Sequence, residues 1–194
     1  AVSGIAKIRA KKQVPVIMYF DLSGLEEYNS RYGLEVGDRQ IRALGELIKT
    51  YFGRDRASRF ESDHFAVYAE NDRIEDKLND LFARMNQLGD GNNLTVKTGI
   101  FKYDNPDTRL TDACDKARLA CESLSRTTVS AYAWFDADIQ KNNAMKFHIM
   151  RNFDKALENG WIHIYYQPII RTMTRTVCNC EALARWIDPV YGMI

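Results

Sequence analysis

The chain predicts an α+β fold in which helices cover a mixed, mainly antiparallel central sheet. Three observations lead there. Compact apolar runs of strand character alternate with stretches of helical spacing in the order β-α-β-β-α-β-α-β, which favours a mixed sheet with helical cover over a doubly wound one. Two short strands, residues 57–60 and 65–69, are separated by only four residues, a length suited to a hairpin and hence to antiparallel pairing. Finally, 194 residues with 45% hydrophobic side chains supply one full core and part of another.

Taken in order, a short basic helical segment precedes residues 14–22, an apolar run opened by Pro15 and closed by Ser23-Gly24. This is a buried strand with Asp21 at its end. Residues 37–52 place Ile41, Leu44, Ile48 and Phe52 on one helical face, behind a glycine-containing loop in which Asp38 can cap or charge the helix start. After the hairpin, Ile74, Leu78, Leu81, Phe82, Met85 and Leu88 form a second stripe that Gly89 would stop, and Leu94, Val96 and Ile100 alternate as in a strand. Leu110, Ala113, Cys114, Ala117, Cys121 and Leu124 line a third helix, and residues 129–135 are a last strand. A long helix then starts near a capping Asp138, carries Met145, Ile149, Phe153 and Leu157, and stops at Gly160. At about 1.5 Å per residue it spans roughly 30 Å, a rod between two modules. Residues 162–167 and 176–186 are two strands of the second module, so the expected divisions are 1–136, a linker helix 137–160, and 161–194.

A formal net charge of +1, with both signs spread along the chain, gives no field favouring nucleic acid or an anionic membrane, and neither partner is expected. The longest apolar run, residues 14–20, is too short to cross a bilayer, and the basic start lacks an apolar signal core, so a cytoplasmic setting is expected. Cys114, Cys121, Cys178 and Cys180 show no CxxC spacing and are expected as buried free thiols.

Three segments carry a family pattern. They are Asp21-Leu22-Ser23-Gly24-Leu25-Glu26-Glu27-Tyr28-Asn29-Ser30, then Tyr32-Gly33-Leu34-Glu35-Val36-Gly37-Asp38, then Arg59-Phe60-Glu61-Ser62-Asp63-His64-Phe65 at the hairpin. In this order, across residues 14–135, they resemble the GGDEF domains of diguanylate cyclases. The family has Gly-Gly-Asp/Glu-Glu-Phe where this chain has Glu61, Ser62, Asp63, His64 and Phe65, so only Asp63 and Phe65 are kept. The resemblance implies that Asp21 and Asp63 hold Mg²⁺ against the triphosphate of GTP, and that Asn29 and Asp38 recognise guanine. One or two carboxylates, completed by water and substrate phosphates, is how Mg²⁺ is commonly held. A family His is replaced by Leu34, and the product-feedback motif Arg-x-x-Asp appears as Phe52-Gly53-Arg54-Asp55, so product feedback is not expected.

The substitutions bear on the chemistry. Glycines at the tip allow positive φ and close approach to a phosphate, and another residue held in that conformation costs roughly 1–2 kcal/mol. Glu61 adds a carboxylate where phosphate should lie, and two like unit charges about 4 Å apart repel by about 4 kcal/mol at an effective dielectric of 20. His64 removes an acid and is either a cationic group near the metal or an exposed turn residue. Because phosphoryl transfer rests on positioning and charge stabilisation, a working cyclase is not expected.

Farther on, Tyr166-Gln167-Pro168 and Glu181-Ala182-Leu183-Ala184-Arg185-Trp186 resemble the opening of an EAL domain, the (β/α) barrel that hydrolyses cyclic-di-GMP. In the intact parent the resemblance implies that Glu181 binds a catalytic metal while Gln167 and Arg185 contact the dinucleotide. A barrel of this kind needs roughly 250 residues, so residues 161–194 are not expected to hydrolyse anything alone. Their apolar side chains, Trp161, Ile164, Tyr166, Ile169, Leu183 and Trp186, call for cover by the first domain or a second copy, so a homodimer is expected. The combined expectation is a regulatory, catalytically inactive GGDEF domain of a GGDEF-EAL signalling protein, taking GTP with Mg²⁺ and controlling the phosphodiesterase. The alternatives are an active cyclase with a divergent tip, and a module that only dimerises.

Overall fold

A computed structural model describes residues 2–61, 63–88 and 94–194, and its main sheet is organised around β1 (Pro15–Ser23). Val16, Met18, Phe20 and Leu22 of β1 are all 0% exposed, as a central strand between two covered faces requires. On one side β1 pairs antiparallel with β3 (His64–Glu70), on the other with β4 (Thr95–Lys102). β2 (Ala57–Arg59) pairs antiparallel with β3 at one edge, while β5 (Ala131–Trp134) pairs parallel with β4 at the other. The order is β2-β3-β1-β4-β5, a mixed, mainly antiparallel sheet as expected.

Alternation along β1 divides its side chains between two helical layers. The even residues join Leu25 of α2 (Leu25–Tyr32), the inner face of α3 (Leu34–Phe52) and that of α4 (Ile74–Gln87). Ile17 and Tyr19 face the other way, toward Ile5 of α1 (Val2–Ala10) and Ala113, Ala117 and Cys121 of α5 (Leu110–Glu122). Cys121 is buried as expected and Cys114 half-buried.

Several boundaries differ from expectation, each for a local reason. α2 carries no apolar stripe, since Leu25 is its buried residue, and it begins directly after Gly24, whose φ of 87° turns the chain out of β1. Gly33, at φ 89°, then redirects the chain into α3. Asp38 consequently sits inside α3 and not at its cap, paired with Arg42 at 3.7 Å. Ser62 and Gly89 lie outside the described residues.

The chain divides into two compact units, Ala1–Gln140 and Lys141–Ile194, and α6 (Ala137–Glu158) runs across the division. In the second unit β6 (Ile162–Arg171) and β7 (Thr176–Asp188) form an antiparallel pair with a register shift between Ile169 and Ile170, and β8 (Gly192–Met193) pairs with β7. Asp188 anchors that unit: it is buried, accepts from His148 Nε2 at 2.7 Å, and accepts the backbone N–H groups of Val190 and Tyr191. Trp186 is buried, whereas Ile164, Tyr166 and Ile169 are exposed. Cys178 and Cys180 are exposed, contrary to the expectation of burial, because they lie on a stretch of β7 where neither face is covered. Among the described residues no helix is long and apolar enough to cross a membrane.

Candidate functional site

Pairing register builds the site. Phe20 stands opposite Phe65 and Asp21 opposite His64 across the β1–β3 pair, and directly opposed residues share a face. Phe65 therefore enters the core, 5% exposed and against Gly45, while Asp21 and His64 emerge on the α5 face at the end of the sheet. His64 is thus the first residue of β3, with its side chain 24% exposed, and not a member of an exposed turn. The hairpin is closed by the Phe60 N–H donating to the His64 carbonyl at 3.3 Å. It is tied to β1 by the Leu22 N–H donating to the Asp63 carbonyl at 3.1 Å.

These constraints bring the acidic side chains around one imidazole. Glu61 Oε2 lies 2.7 Å from His64 Nδ1, Asp63 Oδ1 lies 3.4 Å from the same nitrogen, and Asp21 Oδ1 lies 3.9 Å from Nε2. Ser23 Oγ donates to Asp21 Oδ2 at 2.9 Å. The imidazole packs beside Tyr19, with ring centroids 5.3 Å apart, and is stacked on Phe60. Glu61 is largely exposed, yet its carboxylate turns back toward the sheet.

Next to this cluster is a cavity of about 680 Å³ between the hairpin and α5, with Asp21, Glu61, Asp115, Arg118 and Glu122 among its lining. Arg118 is the one permanent cation among the described lining residues, and it is already bonded to Glu122 and 3.7 Å from Asp115. The cavity is consequently acidic. Two groups of its inner wall are uncharged at neutral pH: burial pushes the Cys121 thiol up to about 12, and burial followed by the charge of Glu61 raises the Tyr19 phenol. Asp115, Arg118 and Glu122 were not among the residues expected at the site. Their spacing along α5, beside the apolar stripe of Ala117 and Cys121, is the signal that places them together.

The residues expected to read guanine are not among those lining this cavity. Asn29 is on α2 and Asp38 on α3, helices that cover the opposite face of the sheet, and neither lines the cavity that holds Asp21. They share a corner of their own, where a Cβ on Gly37 would lie 1.8 Å from Asn29 Oδ1. That oxygen is buried with no hydrogen-bond partner. In the second unit, Gln167 stands directly opposite Glu181, and Arg185 lies four residues along β7, opposite His163 and on the same face.

Comparison with known proteins identifies the family. Residues 3–129 match the family model described as diguanylate cyclase, GGDEF domain. The chain belongs to the GGDEF family. This GGDEF chain is 27% identical over 191 residues to protein y4lL of Sinorhizobium fredii, covering 92% of the chain and 23% of that protein. It is 23% identical to the cyclic di-GMP phosphodiesterase NbdA of Pseudomonas aeruginosa, covering 92% of the chain and 24% of NbdA. It thus spans about a quarter of the length of these relatives. Among solved structures, the active GGEEF domain of a diguanylate cyclase from Vibrio cholerae superposes with a TM-score of 0.60 at 14% identity, over 69% of this chain and 90% of that one. At that identity the likeness concerns the fold.

Proposed function

We propose that this GGDEF domain is a regulatory, catalytically inactive member of a cyclic-di-GMP signalling protein, and that it acts on an EAL phosphodiesterase beginning near residue 161. The observation that carries the inactive reading is the carboxylate of Glu61, folded back onto His64 beside Asp21 in a cavity also lined by Asp115 and Glu122. A triphosphate placed there meets carboxylates on several sides, and the nearby guanidinium is already neutralised by Glu122. Phosphoryl transfer has little to work with when charge stabilisation is reversed.

The regulatory part rests on what is kept. Asp21 and Asp63 converge closely enough for a cation, and they are the residues that would hold Mg²⁺ beside GTP. When bound, Mg²⁺ would supply neutralisation of phosphate charge. The buried, unpartnered Oδ1 of Asn29 supports a retained site for a hydrogen-bond donor such as a guanine edge. The EAL reading draws on Gln167 and Glu181 facing each other across β6 and β7, and on a match to the phosphodiesterase NbdA that reaches beyond the GGDEF segment. The exposed Ile164, Tyr166 and Ile169 are consistent with the remainder of a barrel or a second chain covering them.

The test is incubation of the chain with GTP and Mg²⁺, followed by chromatography for cyclic-di-GMP and calorimetry for binding. Nucleotide binding without product is the expected result. Product above a buffer control that is abolished by Asp63→Ala would replace this reading with an active cyclase, and absence of any binding would leave only a structural module.

A further inference from the structure

We propose that the outward face of α6 pairs with the same face of a second copy of this chain, antiparallel, about a two-fold axis at Met150. This face belongs to the second unit, and its pairing does not depend on nucleotide binding in the first.

Exposure is the first argument. α6 carries Phe147, Met150, Phe153 and Leu157 at 57%, 75%, 48% and 56% exposure. At about 100° per residue the four fall within about 120° of one another, a single stripe roughly 15 Å long. Phe153, at the edge of the stripe, also lies beside Trp186, with ring centroids 6.3 Å apart. Met145, His148, Ile149, Asn152 and Ala156, on the other side of the helix, are buried or half-buried. There His148 meets Asp188, and Asn152 Nδ2 donates to the His148 carbonyl at 2.8 Å. Both sides of α6 therefore carry apolar residues, and only one is covered. A helix apolar on opposite sides calls for a neighbour on each.

The pattern about Met150 names the occupant. Phe147 and Phe153 stand three residues to either side of Met150, and Lys146 and Asp154 stand four residues to either side. An antiparallel pair with its two-fold axis at Met150 sets each residue before it opposite the one equally far after it. Phe147 then meets Phe153 of the partner subunit, Lys146 meets Asp154 of the partner subunit, and symmetry makes each contact twice. Lys146 and Asp154 are exposed, and among the described residues neither forms an ion pair within its own chain. A parallel pair would instead set lysine against lysine and aspartate against aspartate, an arrangement that like charges oppose. Burial of the aromatic and aliphatic stripe provides the attraction, while the exposed ion pairs set direction and register. A self-complementary surface of this kind is complete with two copies.

The test is analytical ultracentrifugation of the 194-residue chain across micromolar concentrations, with a thiol reductant present so that the exposed Cys178 and Cys180 form no cross-links. A reversible monomer–dimer equilibrium is expected. Lys146→Glu and Asp154→Lys should each weaken the dimer at least about tenfold, since either reversal turns two attractions into two repulsions. The double variant Lys146→Glu, Asp154→Lys exchanges the charges and should return the dissociation constant to within about threefold of wild type. Met150→Lys, which sets two like charges on the axis, should weaken the dimer at least about tenfold. All three side chains are exposed, so every variant should keep the wild-type denaturation midpoint. A chain that stays monomeric at all these concentrations overturns the proposal and leaves the stripe to a different segment or partner. A dimer indifferent to the charge reversals, or not restored by the exchange, overturns it as well and places the contact elsewhere, such as the exposed β6–β7 face. Product formed from GTP bears on the regulatory reading alone, so the two failures are distinct.

Discussion

A Cβ placed on Gly99 would lie 1.9 Å from the carbonyl oxygen of Ala117, so the backbone of α5 rests directly on β4. The neighbouring Cys121 nitrogen would be 2.3 Å from the same Cβ, which means that backbone, and not a movable side chain, must give way. Gly99→Ala is expected to destabilise the first unit by about 1–3 kcal/mol, the usual range for overpacking, read as a fall in the denaturation midpoint. Since α5 carries Arg118 and Glu122, the same variant should also widen the cavity beside His64. An unchanged midpoint would mean that α5 stands farther from the sheet.

Asn29 yields a prediction of the opposite sign. Its Oδ1 is buried without a partner, and an unsatisfied buried acceptor costs about 1–3 kcal/mol. Asn29→Leu should therefore leave thermal stability unchanged or raise it by up to about 1 kcal/mol, while reducing guanine-nucleotide binding measured by calorimetry. A clear loss of stability would show that the amide serves the fold. Gly37→Ala, which pushes on the same amide, should weaken nucleotide binding without unfolding the chain.

The element order is legible in the sequence because Val16, Met18, Phe20 and Leu22 on β1, and the stripes of α3, α4 and α5, each carry enough buried side chains to fix a period. α2 is not, since one leucine sets no period. Asp21 and Asp63 are legible as a pair through the family pattern alone. The place of His64 is decided by the register opposite Asp21, which no local spacing reveals, and a four-residue turn would have left it exposed. The face on which Glu122 and Asp115 project depends in the same way on how α5 seats against Gly99, a long-range contact.

Arg56 and Glu70 make a forked pair at the end of β3, with Arg56 Nη2 donating to Glu70 Oε1 at 2.8 Å and Nη1 donating to Oε2. The Arg56 hydrogen bonds hold the Glu70 carboxyl below its ordinary value. Because the folded pKa is depressed, the pair contributes fully above the unfolded value of about 4.3 and is lost as pH falls through the folded value. Solvent at the pair limits this to about 1 kcal/mol. Glu70→Gln should be less stable than wild type by that amount at pH 7, with the two denaturation curves converging on acidification below pH ~4. A difference that persists at low pH would point to packing.

Glu122 and Arg118 decide whether the acidic cavity excludes a triphosphate. A carboxylate about 8 Å from a phosphate charge opposes it by about 2 kcal/mol at an effective dielectric of 20, and Glu122 also engages Arg118, the one guanidinium among the described residues lining the cavity. The double variant Glu61→Gln, Glu122→Gln should therefore bind GTP with Mg²⁺ at least about tenfold more tightly than wild type, and the gain should shrink as salt rises. No cyclic-di-GMP is expected from it, since the hairpin still lacks the glycines that let a backbone approach phosphate. Binding that is unchanged by both substitutions would place the phosphates outside this cavity, and product formation would show that charge alone had silenced the site.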